Sequence, residues 1–131
     1  PRGGGTSAPS IQQADQSAAD HEAVGDDAAN GGDWSTAVMA YKKAVSLDGK
    51  SARLMSKLGR AQLESGDRGT AQVTLQRAAQ MGAKDAHKHL GRVLEAEGDI
   101  AGAIASYQQY LKSGPSDAAA IEETIRKLSG G

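Results

Sequence analysis

The sequence predicts an all-α protein made of helix-turn-helix units stacked into a solenoid, and three observations support this prediction. Alanine accounts for 24 of the 131 residues, aromatic residues for only 3%, and Phe is absent. So few large side chains cannot fill the deep core of a β-sandwich or a thick α/β domain, whereas alanine favours helices and lets them approach closely. The other two observations are a repeat of about thirty-four residues and the helical spacing of its apolar positions.

The repeat is marked by the dipeptide Gly-Asp, which recurs at Gly32-Asp33, Gly66-Asp67 and Gly98-Asp99. Seven residues before the glycine of each Gly-Asp stands another glycine. The positions five, nine and twelve residues after the Gly-Asp glycine also match between copies, so four aligned positions, or columns, accompany each dipeptide. The four columns are Gly25, Gly59 and Gly91; Ala37, Ala71 and Ala103; Tyr41, Leu75 and Tyr107; and Ala44, Ala78 and Tyr110.

Each copy of the repeat predicts two helices joined by a tight turn. The columns after the glycine advance by four and then three residues, which places them on one face of a helix. A second helical pattern precedes the glycine, clearest in Leu54, Leu58 and Ala61. We expect the glycine to end the first helix in the left-handed conformation and the Asp to cap the second helix. The small residues in the columns should let the two helices come close.

This combination of columns resembles the tetratricopeptide repeat, whose aromatic and closing proline positions are filled here by Trp34, Tyr41, Tyr107 and Pro115. The resemblance implies a right-handed α-solenoid with repeats at about 18–51, 52–83 and 84–117. After Pro115, Ser116 or Asp117 is expected to cap a last helix at about 117–129. Its single apolar stripe of Ile121, Ile125 and Leu128 would cover the end of the array.

Some positions depart from the pattern. The second repeat is two residues short at 81–84, which predicts a tight turn there, and Tyr110 fills a column that is usually small. The first helix, around 19–30, contains Val24 as its only large aliphatic residue, so we expect it to be the least stable element.

Residues 1–17 are predicted to be a flexible linker, since their first half is almost entirely Pro, Gly, Ser, Thr and Ala. The domain would then span 18–131.

Composition and motifs exclude several classes of function. The net charge is −1, there is no Cys, and no apolar run approaches the length of a membrane span. His87 and His89 stand two apart on a predicted helix and point in different directions, with His89 predicted to face the surface, so they are not expected to share a metal ion. We therefore expect no enzyme, no cofactor, no metal and no nucleic-acid partner. The composition suits a bacterial protein, with the cytoplasm favoured and the periplasm left open.

Charge is distributed unevenly along the chain: −3 over residues 18–51, +3 over 52–83 and −1 over 84–117. In the family that the sequence resembles, the first helix of each repeat lines a concave groove. Carried over by position, the resemblance implies a groove containing Arg53, Lys57, Arg60, Lys88, His89 and Arg92, with an acidic wall of Glu22 and Asp26. Such a groove suits a carboxylate or an acidic segment, because arginines can bind carboxylates through two hydrogen bonds.

Two functions remain open at this stage. The first is a non-catalytic module that binds a peptide or a partner domain, with an acidic segment, in the groove. Some family members bind the C-terminal carboxylate of heat-shock chaperones with a Lys-Asn-Asn-Lys-Arg set, but Glu22, Asp26 and Lys57 replace three of those residues here and disfavour that ligand. The alternative is a structural domain that self-associates or docks on the rest of its own protein.

Overall fold

Alanine-rich segments with spaced aliphatic residues fold as helices throughout the computed structural model, which describes residues 16–130. Within that range the chain forms seven helices and no strand, so the all-α prediction is confirmed. The helices are α1 (Ala18–Asn30), α2 (Trp34–Leu47), α3 (Ala52–Glu64), α4 (Arg68–Gln80), α5 (Ala86–Ala96), α6 (Ile100–Leu111) and α7 (Ala118–Leu128). Nearly all of the predicted linker, residues 1–15, lies outside the described residues.

The helices pair in chain order into three hairpins. Helix α1 packs on α2, α3 on α4, and α5 on α6, while α2–α3 and α4–α5 contacts join successive hairpins. Helices α3 and α5 also contact each other, and α7 packs against α6. Successive hairpins therefore pack against each other in chain order, which is the arrangement of a stacked repeat.

The Gly-Asp dipeptide has both of the roles that the sequence predicts. Each glycine has a positive φ, between 78° and 97°, and the amide of the following Asp donates to a carbonyl five residues back, which closes the end of the first helix. The Asp carboxylate then accepts from the amide three residues on, at the start of the second helix. These acceptors and donors are Asp33 with Thr36, Asp67 with Thr70, and Asp99 with Gly102.

The core consists of three small clusters rather than one deep one. The largest lies between the second and third hairpins and contains Met55, Leu75, Leu90 and Val93. The predicted stripe of α7 is confirmed, because Ile121 is buried with Tyr107, and Ile125 and Leu128 pack against the same cluster. Of the predicted small contact residues, the alanines Ala37, Ala71 and Ala103 are fully buried.

The junction between the second and third repeats differs from its prediction. Five residues, 81–85, separate α4 from α5, against four between α2 and α3, so the turn is not shortened. The missing residues come from α5 itself, which has 11 residues where α1 and α3 have 13. At the start of this shorter helix Asp85 makes no cap hydrogen bond, and its carboxylate instead accepts from Ser56 Oγ of α3 at 3.0 Å.

The first helix is formed in full. Ser17 and Asp20 make a reciprocal capping box at its start, but Gly25 is its only buried residue. Val24 remains 49% exposed. That α1 is the least stable helix stays a prediction.

Candidate functional site

One face of the array, which we call the inner surface, contains the predicted groove residues of α1, α3 and α5 together with Asp117, the residue just before α7. Cations on α3 and α5 stand three or four residues apart, so they project from one face of each helix. Acidic residues of neighbouring helices lie within hydrogen-bonding distance of most of these cations. The surface is thus a set of ion pairs that connect successive helices.

Glu22 of α1 is the centre of the first set. Its carboxylate accepts from Arg53 Nε at 3.0 Å and Nη2 at 2.8 Å, and from Lys57 Nζ at 2.6 Å. Lys57 also donates to Asp26 Oδ1 at 3.0 Å. The hydrogen bonds from Arg53, helped by those from Lys57, lower the pKa of Glu22 to about 2 even though burial opposes this. The two acids predicted as a separate wall are therefore paired with two of the predicted basic residues.

Two further ion pairs continue along the inner surface. Arg92 Nη2 of α5 donates to Glu64 Oε2 of α3 at 2.8 Å. Lys88 Nζ donates to Asp117 Oδ2 at 2.6 Å, and Tyr110 Oη donates to the other oxygen of Asp117 at 2.7 Å. Asp117 stands at the N-cap position of α7, but it does not make the predicted cap bond; its two oxygens accept from Lys88 and Tyr110 instead. The tyrosine that departs from the small-residue column thus contacts the start of α7.

Arg60 differs from the other predicted groove cations. Within residues 16–130 no carboxylate pairs with it; its guanidinium lies 5.3 Å from the centre of the Trp34 ring instead. Its side chain is exposed and borders two pockets. One pocket is lined by Asp26, Ala29, Asn30, Trp34, Tyr41 and Lys57, and the other by Glu64, Asp85, Lys88, His89, Arg92 and Tyr110.

His89 is more buried than expected. The prediction that it faces the surface is wrong, since only 9% of the residue is exposed. Its side chain lies near Asp85, with Nε2 3.8 Å from Asp85 Oδ2, and Nδ1 has no hydrogen-bond partner among the described residues. Burial lowers the pKa of His89 to about 4; Asp85 opposes the shift, and the cations Arg92, Arg60 and Lys88 add to it. Its predicted role as a contact residue stays a prediction.

Sequence reasoning missed several contacts of this surface. Trp34 fills an aromatic position of the repeat in the sequence, and the structure shows that its ring also lies against the guanidinium of Arg60. Tyr41 Oη donates to Asp26 at 2.6 Å and Tyr107 Oη donates to Glu95 at 2.9 Å. Burial raises the pKa of both tyrosines, and the neighbouring carboxylates add to the increase. Tyr41 and Tyr107 occupy the same position of the repeat, nine residues after the Gly-Asp glycine. This shared position is the signal in the sequence that could have indicated that both hydroxyls bind a carboxylate of the preceding helix.

In the described part of the chain, no group of three or more His, Asp or Glu side chains is placed to hold a metal ion. Across those residues, too, each helix is either too short or too polar to cross a membrane.

Comparisons with solved structures place the fold among known domains. The tetratricopeptide repeat domain of Arabidopsis OM64 is 23% identical, with a TM-score of 0.76 over 85% of this chain and 95% of that one. The first such domain of Spaghetti (RPAP3), bound to an HSP90 peptide, is 19% identical, with a TM-score of 0.81 over 88% and 94%. PcrH, in complex with the chaperone-binding region of PopD, is 19% identical, with a TM-score of 0.77 over 96% of each chain. No curated protein matches the sequence significantly.

The hairpins, the charged inner surface and the helix at the C-terminal end define a helical-repeat protein of the right-handed α-solenoid class. The model of the tetratricopeptide repeat family matches residues 56–118. Residues 56–118 thus belong to the tetratricopeptide repeat family, and the described chain shares the fold of solved tetratricopeptide repeat domains. The family match supports the protein-interaction module that the sequence predicts.

Proposed function

We propose that the inner surface binds a peptide segment or partner domain and that an acidic residue of this ligand contacts Arg60. The observation that supports the proposal is the state of Arg60: exposed, at the border of two pockets, and without a carboxylate partner among the described residues. Its neighbours Arg53, Lys57, Lys88 and Arg92 are each paired with an acid.

The stacking of Arg60 on Trp34 is well suited to this role. A guanidinium has five N–H donors in a plane, and contact with an aromatic face orients the group without using them. An oriented guanidinium loses less entropy when it binds a carboxylate through two parallel hydrogen bonds. Arg60 is thus a preorganised site for a single acidic side chain or a C-terminal carboxylate.

The cations that are already paired with acids also affect which ligands the surface prefers. Each of them would have to exchange an internal carboxylate for one of the ligand, which yields little net gain. The surface therefore favours a segment with one or two acidic residues over a long acidic run. The solved Spaghetti and PcrH domains hold peptides, which supports a peptide as the ligand class. The chaperone clamp remains disfavoured, because Glu22 and Asp26 stand in place of its first Lys and Asn.

The proposal is tested by titrating the protein with short peptides that differ only in one Glu or Gln, while recording NMR shifts and affinity. We expect the Glu peptide to bind more tightly and to shift the signals of Arg60 and Trp34. Arg60→Ala should weaken binding at least tenfold, whereas Arg77→Ala, which removes an exposed arginine from α4, should not. Equal affinity for the two peptides, or shifts confined to α2 and α4, would contradict the proposal.

One observation favours the alternative of self-association or docking on an adjoining domain. Val24 and Met39 are 49% and 63% exposed, and with His21 and Lys43 they line a third pocket at the first hairpin. Sedimentation analysis over a wide concentration range tests self-association. A concentration-dependent mass that Met39→Ser abolishes would support it, and a constant monomer mass would contradict it.

A further inference from the structure

We propose that Glu22 and Asp26 are an internal competitor that keeps acidic ligands away from Arg53 and Lys57. Acidic groups of a ligand then cannot bind at the α1 end of the inner surface. They bind only at Arg60 and at the surface that extends from Arg60 towards α5. The inference rests on the proposed function, since it states which cations of the same surface a ligand can reach.

The geometry at Glu22 is that of a bound ligand carboxylate. Its two oxygens accept from Nε and Nη2 of Arg53, the two-bond arrangement that arginine uses for acidic ligands, and Lys57 adds a third bond. The Glu22 side chain is only 13% exposed, whereas that of Arg53 is 65% exposed. Arg53 is therefore accessible to solvent, but the N–H groups with which its guanidinium would bind a ligand carboxylate already donate to Glu22.

Asp26 is held in place in a similar way. Its carboxylate accepts from Lys57 through both oxygens, at 3.0 and 3.1 Å, and also from Tyr41 Oη at 2.6 Å. Tyr41 is buried in the contact between α1 and α2. Asp26 is thus positioned by the core of the first hairpin and does not depend on Lys57 alone.

Tethering makes these acids strong competitors. A group fixed next to its partner acts at an effective concentration of millimolar or more, so a free ligand must overcome it before it gains any contact. Both acids come from α1, and both of the cations they cover come from α3. The selectivity is therefore a property of how the first two hairpins stack and would be lost if the acids were neutralised.

The test compares wild-type protein with the double variant Glu22→Gln/Asp26→Asn, using acetylated and amidated tetraglutamate as the probe. Both replacements keep the side-chain shape and an oxygen acceptor, and circular dichroism checks that the variant is folded. We expect the variant to bind tetraglutamate at least tenfold more tightly. The NMR signals of Arg53 and Lys57 should respond to the peptide only in the variant.

A matched control separates this effect from net charge. Asp27→Asn/Glu122→Gln removes the same two charges from exposed residues that make no side-chain hydrogen bond or ion pair in the described structure, and it should bind like wild type. An equal gain in this control, or no gain in the double variant, would overturn the inference while binding through Arg60 could still hold. Loss of binding on Arg60→Ala together with unchanged signals of Arg53 and Lys57 in the double variant would also overturn it. If neither protein binds tetraglutamate, the inference is overturned, whereas binding through Arg60 is decided separately by the peptides that differ in one Glu or Gln.

Discussion

Gly59 of α3 packs directly against Leu75 of α4, so closely that a methyl group at position 59 would lie 2.5 Å from Leu75 Cδ2. The same relationship holds in the other hairpins, where Gly25 faces the ring of Tyr41 and Gly91 faces that of Tyr107. The repeated glycine is therefore required for the close approach of the two helices, and the large residue opposite it fills the space that the missing side chain leaves.

Substituting this glycine is expected to destabilise the domain. Gly59→Ala should lower the free energy of unfolding by about 1–3 kcal/mol, because the added methyl group forces Leu75 or the helix to move. The control is Gly69→Ala in α4, where nothing lies within 4 Å, and it should gain up to about 1 kcal/mol from the lower entropy of the unfolded chain. Urea denaturation measures both. A Gly59→Ala variant as stable as wild type would contradict the packing argument.

The second prediction concerns the Asp that follows each turn glycine. Asp67 accepts from the amide of Thr70 at the start of α4, at 3.3 Å. Asp67→Ala should therefore lower the free energy of unfolding by about 1 kcal/mol, the usual effect of losing an N-cap. Asp48→Ala removes an exposed Asp at the C-terminal end of α2, where no side-chain cap bond is made, and should change stability little. Thermal melts of both variants distinguish the two cases.

The third prediction is a loss of stability in mild acid caused by His89. Its pKa is about 4 in the folded protein against an ordinary value of 6.5. Between these two values the unfolded chain binds a proton that the folded chain does not, so stability falls as the pH decreases. The free energy of unfolding should decrease by about 3 kcal/mol from this residue between pH 6.5 and 4.

Denaturation curves of His89→Leu measured from pH 7 to 4 test this prediction. The variant should lose that part of the acid sensitivity and should be at least as stable as wild type at pH 7, because Nδ1 is buried without a partner. His87→Gln is the matched control for removing a histidine from α5. If His89→Leu kept the whole pH dependence of wild type, the buried imidazole would not be its source.

The fourth prediction concerns the attachment of the last helix. Asp117 connects α5 to the start of α7 through Lys88 and is also held by Tyr110. Asp117→Ala should speed hydrogen exchange of the α7 amides, 118–128, while the exchange of α3 stays unchanged, because the ends of an array open most readily. Ser116→Ala, one residue earlier, makes no side-chain hydrogen bond in the described structure and is the control. Equal exchange in α7 of all three proteins would contradict this role for Asp117.

The helices and turns could be predicted because their causes are local. A glycine that ends a helix and an Asp that caps the next one act within about five residues, so their spacing is visible in the sequence. The residues of the inner surface could be placed on the correct helices for the same reason. Their partners could not be predicted, since Glu22 and Arg53 are 31 residues apart and belong to different repeats.

The sequence by itself thus determined the all-α repeat, the Gly-Asp turns, the small contact residues and the absence of any catalytic or metal-binding motif. Only the tertiary structure decided that Glu22 and Asp26 pair with Arg53 and Lys57, that Asp117 binds Lys88 instead of capping α7, and that His89 is buried. The physical reason is that these contacts depend on how one hairpin is rotated against the next. That rotation is set by the packing of many side chains together and has no signature at any fixed spacing along the chain.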